Sequence, residues 1–169
     1  AVKPQLDRLA NILESAKADD PDLKHKYALA SVYSAFIKRR CNLALIGESM
    51  EYMQSFELIS SIRESVEYLK AYGIHCYFGF DECGVLSTKS VILTYELFEM
   101  VVESILPQLS SLLINLAVSD GKLVLKLSME ATDAAIDANW QSDRVKECNG
   151  TLSVTSEDHS LFITFCVGN

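Results

Sequence analysis

Glu99 and Glu103 stand four residues apart in the stretch YELFEMVVESILPQL, residues 95–109. On a helix that spacing puts both carboxylates on one face, where like charges repel by about 0.2–0.5 kcal/mol. Carboxylates held this close can bind a divalent cation, or share a proton and act as acid and base. The plainer alternative is a solvated helix face that also carries Glu96, and the sequence favours it. His25 is the second candidate for chemistry. A histidine that accepts a group needs an acidic neighbour to orient its ring and raise its basicity. Its neighbours are Lys24 and Lys26, with Asp22 three residues back, which predicts a plain exposed histidine. Lys38, Arg39 and Arg40 could meet a phosphate, an acidic partner or a membrane surface. Successive helical residues point about 100° apart, so the run is expected to be a solvated face. Cys83, in the loop Asp81-Glu82-Cys83-Gly84, is a candidate reactive thiol with nothing beside it in sequence to activate it. His75 and His159 fall in a strand and a turn, and no His and Cys cluster has metal-ligand spacing. No G-x-S-x-G, Walker or dinucleotide-binding motif is present.

The elements that must position these residues come in two styles. PQLDRLANILESAKA (4–18) reads as a short helix with Pro4 in its first turn. DDPD breaks it and offers caps for the next. A long helix then runs from Leu23 to about Ile46. One stripe holds Leu29, Val32, Phe36, Leu43 and Ile46; an adjacent one holds Tyr27, Ala30, Ser34, Ile37, Cys41 and Ala44. Two stripes imply two neighbours. A second long helix, about Met53 to Tyr72, carries Ile59, Ile62, Val66 and Leu69 and ends at Gly73, where a left-handed cap fits. Together they predict an antiparallel helical hairpin, a unit that buries little alone and packs into a bundle, often with a second copy.

From residue 74 the pattern changes. IHCYFGF (74–80) is a strand by its aromatic and β-branched content. The helix carrying Glu99 follows, over about 88–109. LLINLAV and KLVLKLSME flank a D-G turn at Ser119-Asp120-Gly121, predicting a hairpin. Residues 132–148 read as a helix closed by Asn149-Gly150. TLSVTSE and LFITFCV form a last hairpin around Asp158-His159-Ser160. The order β-α-β-β-α-β-β predicts a mixed or antiparallel sheet with helices on one face.

The totals bound the function. With 49% apolar residues the chain can bury a real core. Its net charge of −8 disfavours a nucleic-acid partner, which requires a basic footprint. Cys41, Cys76, Cys83, Cys148 and Cys166 form no C-x-x-C pair, as expected of reduced thiols in a cytoplasmic protein. No apolar run approaches the roughly 18–20 residues of a membrane span. The sequence starts at Ala1, so a membrane sensor could precede it.

Three segments carry a family resemblance. YELFEMVVESILPQL follows a strand and precedes a hairpin; INLAVSDGKLVLKLSME is a strand, D-G turn and strand; DRVKECNGTLSVTSEDHSLFITFCV is a helix with an arginine, a glycine turn and two closing strands. In that order, over about residues 50–167, the chain resembles the C-terminal region of bacterial sensor histidine kinases. Its second half resembles the histidine-kinase-like ATPase fold shared with gyrase and MutL. The fold this implies is α+β: an N-terminal antiparallel helical hairpin at 1–72, then at 73–169 a two-layer α/β sandwich with a mixed sheet and no lid.

The resemblance also implies where a nucleotide site would be, and how it departs. The family's first helix reads E-x-x-x-N-A-x-x-H, with the asparagine on Mg²⁺. Here the positions are Glu99, Glu103, Ser104 and Pro107. The family's D-x-G-x-G, which receives adenine, corresponds to SMEATDAA (128–135), without a glycine; Asp133 or Glu130 would stand for the aspartate. The G-x-G-x-G lid has no counterpart. Glu99, Glu103 and Asp133 are therefore expected to be vestigial pocket positions, with no ATP or Mg²⁺ cofactor and no resident metal. The implied protein is a pseudokinase-like signal-transduction module of a two-component system, dimeric through its hairpin. It would be cytoplasmic, or the cytoplasmic part of a membrane-anchored sensor, with a response regulator or kinase as partner. The alternative is an ATP-binding divergent histidine kinase, or a phosphotransferase using His25. A third idea is a groove re-used for another small ligand.

Overall fold

The computed structural model describes residues 2–81, 84–132, 136 and 142–168. Its helical part begins with α1, Lys3–Ser15, with Pro4 in the first turn. It continues with α2, Leu23–Gly47, and α3, Ser55–Tyr72. Gly73 closes α3 in the left-handed region at φ 116°, and the N–H groups of Gly73 and Ile74 both reach the Leu69 carbonyl, at 3.1 and 3.0 Å. Only a residue without Cβ takes that conformation freely. Between α2 and α3 the chain adds a strand that the sequence pattern did not indicate: β1, Tyr52–Gln54, pairs antiparallel with β3, Val85–Ser87. Three residues a side are too few to print an alternation, and Met53 and Leu86 alone point inward from this ribbon.

The sheet consists of β2 (His75–Phe80), β4 (Leu109–Ser119), β5 (Lys122–Ala131), β6 (Thr151–Glu157) and β7 (Ser160–Gly168) in the order β2-β4-β5-β7-β6. β2 and β4 run parallel and the other neighbours antiparallel, so the sheet is mixed as expected. Asp120 and Gly121 both have positive φ, 51° and 70°, which suits the twist of the two-residue turn between β4 and β5. Leu123, Leu125, Leu127 and Met129 on β5 face Leu161, Ile163, Phe165 and Val167 on β7 across one buried face.

That face is covered by α4, Thr88–Ile105. The helix is shorter than the expected 88–109. Pro107 lacks a donor and its ring collides with the Glu103 carbonyl, so Leu106–Gln108 is a single 3₁₀ turn and Leu109 already belongs to β4. The helix expected over 132–148 is α5, described at Ser142–Glu147. Gly150 follows it in a tight place: a Cβ there would lie 2.7 Å from the Cys166 carbonyl oxygen and 2.9 Å from that of Val145.

The hairpin is not free-standing. Val32, Phe36 and Leu43 of α2 and Ile59, Ile62, Val66 and Leu69 of α3 belong to the same core as α4 and the sheet. Phe36 meets Phe98 edge-on at 6.3 Å between centroids, and the buried hydroxyls of Tyr95 and Ser65 are 2.9 Å apart. α1 packs along α2. Among the described residues no helix is long and apolar enough to cross a membrane.

Candidate functional site

α4 is buried on almost every side, because the sheet takes one face and α2 and α3 take the others. Glu99 therefore faces no water: it is fully buried, and the Glu103 side chain is 8% exposed. This corrects the expectation of a solvated carboxylate face. Both carboxylates look into the helical layer. Arg40 of α2 brings Nε to 3.0 Å from Glu99 Oε2 and 3.9 Å from Glu96 Oε1. From α1, Gln5 Nε2 donates to Glu103 Oε2 at 3.2 Å, and Arg8 approaches the same oxygen at 3.3 Å.

The basic run is corrected with it. Lys38 and Arg39 both pair with Glu64 of α3, and Arg40 is buried. A signal for this was present in the sequence. Arg40 follows Phe36 by four residues and precedes Leu43 by three, so it lies on the buried stripe and demands a carboxylate partner there. Gln5 and Arg8 carry no such signal.

Among the described residues, Arg40 pairs with Glu96 and Glu99, and Arg8, which is half in water, pairs with Glu103. Burial pushes the Glu99 carboxyl up to about 8, against the pull of Arg40, and the neighbouring Glu103 adds to the rise. Burial also raises Glu103, while Arg8 and the Gln5 hydrogen bond hold it back. Neither Glu99 oxygen receives a well-aligned N–H from the described residues. Burial raises both carboxyls, so the pair favours sharing a proton between Glu99 and Glu103 over carrying two full charges. Chemically it can hold and release one proton.

The other candidates lie apart. His25 is exposed on the first turn of α2, as expected, with its ring 4.6 Å from that of Tyr72. His75 is on β2 and His159 in the β6–β7 turn, both exposed. Asp133 and Cys83 lie outside the described residues. Glu130 is exposed on β5. Cys41, Cys76, Cys148 and Cys166 are free thiols, and burial lifts Cys76 to about 11.

A helical hairpin docked on a helix that backs a mixed sheet is found again in solved structures. A bacterial phosphotransferase superposes with TM-score 0.59 at 14% identity, over 97% of this chain and 89% of its own. The histidine kinase domain of a blue-light activated kinase from Erythrobacter litoralis gives 0.55 at 13%, over 98% and 91%. Histidine kinase AdeS from Acinetobacter baumannii gives 0.54 at 10%, over 99% and 94%. The fold is that of the histidine-kinase-like ATPases with their helical hairpin. At these identities the likeness is one of fold. No protein-family model and no curated protein sequence matches the chain.

Proposed function

We propose that the chain is a non-catalytic signal-transduction module, which keeps the histidine-kinase-like scaffold and acts through protein contacts. One observation carries this reading. The α4 positions that resemble the nucleotide helix, Glu99 and Glu103, are committed to Arg40, Arg8 and Gln5 of the chain's own helices. A triphosphate would have to expel the hairpin and then face a second carboxylate where the family pattern has asparagine. No ATP or Mg²⁺ enters the proposed mechanism. The partner is a response regulator or a kinase in the cytoplasm, and the chain acts as a homodimer. The dimer face is the second stripe of α2. After folding, Tyr27, Ser34 and Ala44 of that stripe are still exposed, with Leu45 exposed beside them, Ile37 and Cys41 are half-buried and Ala30 is buried, whereas the α3 stripe is consumed by the core.

The test is incubation with γ-labelled ATP and Mg²⁺, with light scattering on the same sample. No label on the protein, together with a dimer that Leu45→Glu splits without lowering the melting temperature, is the expected pair. Label on a histidine, or a monomer at high concentration, overturns the reading.

A second reading, phosphoryl transfer through His25, is favoured by the exposure of that ring and by the likeness to a phosphotransferase. In it an aspartyl phosphate on a regulator would lose its P–O bond as His25 nitrogen forms a P–N bond. Transfer lost in His25→Ala supports it; transfer unchanged, or absent from the unaltered protein, removes it.

A further inference from the structure

β2 lies at one edge of the sheet and pairs only with β4. The Asp81 N–H donates to the Leu116 carbonyl at 3.0 Å, and the residue in register with Leu116 is Phe80. Along a parallel ladder every second residue bonds to the same neighbour. His75, Tyr77 and Gly79 therefore turn their backbone groups to β4, and Cys76, Phe78 and Phe80 turn theirs outward. Among the described residues those outward N–H and C=O groups have no backbone partner. Edge strands are commonly blunted by lysine, proline, a bulge or a cover. HCYFGF has neither lysine nor proline, and its register with β4 runs unbroken. A cavity flanks each end of the strand. One, of about 400 Å³, has Phe56, Ile59 and Phe80 as apolar walls. The other, of about 560 Å³, lies at His75, Tyr77 and Leu113.

We propose that the free edge of β2 takes an extended acidic segment of a partner protein as a further strand, with an apolar side chain in the Phe56–Phe80 cavity and carboxylates on Arg63 and Lys70. In strand addition the main-chain bonds supply affinity, and pockets beside the edge select the side chains. Charge decides the occupant. Among the described residues, Arg63 is the one charged residue lining the first cavity, Lys70 stands with His75 in the second, and no carboxylate lines either. The Arg63 guanidinium rests over the Phe80 ring, 5.1 Å from its centroid, which holds it at the mouth of the apolar cavity. Its α3 neighbours Glu64 and Glu67 are taken by Lys38, Arg39 and Lys70. The Lys70–Glu67 pair is half in water and so weak, and a carboxylate of the added strand competes with it readily. A second copy fits worse. Antiparallel pairing of β2 with itself would bring Arg63 of each chain toward Lys70 of the other, like charge against like. This edge is a different surface from the α2 stripe, and the proposal stands whether or not that stripe dimerises or ATP binds.

The probe is the peptide acetyl-EVEFEVE-amide, titrated calorimetrically into the full chain at pH 7. Its controls are the charge-reversed acetyl-KVKFKVK-amide and the acidic peptide N-methylated at alternate residues, which cannot pair as a strand. The acidic peptide is expected to bind saturably, at least tenfold more tightly than either control. Amide hydrogen exchange, followed residue by residue by NMR, should then slow at Cys76, Phe78 and Phe80 and stay as it was at Tyr77 and Gly79, which already face β4. Arg63→Glu and Phe56→Ser, both at exposed positions and checked for unchanged melting curves, should each weaken binding at least tenfold. No saturable heat at millimolar peptide, either control binding as tightly, exchange unchanged at the three outward amides, or affinity unchanged in both variants would overturn the proposal. Protection of those amides that rises with protein concentration in the absence of peptide would place a second copy on the edge and overturn it as well.

Discussion

Replacing Glu99 by glutamine probes the buried cluster at its centre. In the native protein the Glu99 carboxyl is raised by burial from 4.5 to about 8, so folding takes up a proton across that interval. The sign follows. A raised carboxyl leaves stability intact below 4.5, and stability falls as pH climbs toward 8. The slope is at most about 1.4 kcal/mol per pH unit for one proton. From 4.5 to pH 7 that amounts to about 3 kcal/mol that a neutral side chain of the same shape would not lose. Glu103 shares the proton and Arg40 offsets part of the loss, so Glu99→Gln is expected to stabilise by about 1–3 kcal/mol at pH 7 and by roughly nothing at pH 5. Urea unfolding of both proteins at pH 5, 6, 7 and 8 measures the difference directly. A difference that grows with pH is the expected result. A variant less stable by the same amount at every pH would refute the reasoning, since it would mean that an ionised Glu99 supports the fold through Arg40.

Further perturbations separate other parts of the account. Ser65→Ala strands the buried Tyr95 hydroxyl and should cost about 1–3 kcal/mol, whereas Tyr95→Phe leaves Ser65 bonded to the Ser61 carbonyl and should cost about 1 kcal/mol or less. Chemical denaturation of the two variants checks the order. Gly150→Ala pushes a methyl into the carbonyls of Cys166 and Val145 and should destabilise by about 1–3 kcal/mol, read as a lowered melting temperature. Burial raises Cys76 to about 11, so iodoacetamide at pH 8 should modify it far more slowly than an unfolded control, followed by peptide mass spectrometry.

What the sequence discloses and what it hides divide along range. Gly73, the Asp120-Gly121 turn and the alternation from Leu123 to Met129 are local signals, and each element they mark is found where expected. The β1–β3 ribbon is too short to leave a pattern, and the early end of α4 turns on Pro107 alone. The candidate site is the harder case. The spacing of Glu99 and Glu103 puts them on one face, but which face is covered depends on Arg40 and Arg8, far off in the chain. No helical periodicity contains that. The stripe through Phe36, Arg40 and Leu43 is the one place where the sequence announces a buried charge in need of a partner.

The central claim, that the helix resembling a nucleotide helix has its carboxylates locked inside the chain, meets its most direct test in calorimetric titration of ATP, with and without Mg²⁺. The account predicts no saturable heat in either case and a melting temperature unmoved by nucleotide. Saturable micromolar binding that requires Mg²⁺ and disappears in Glu99→Gln or Glu103→Gln would contradict it.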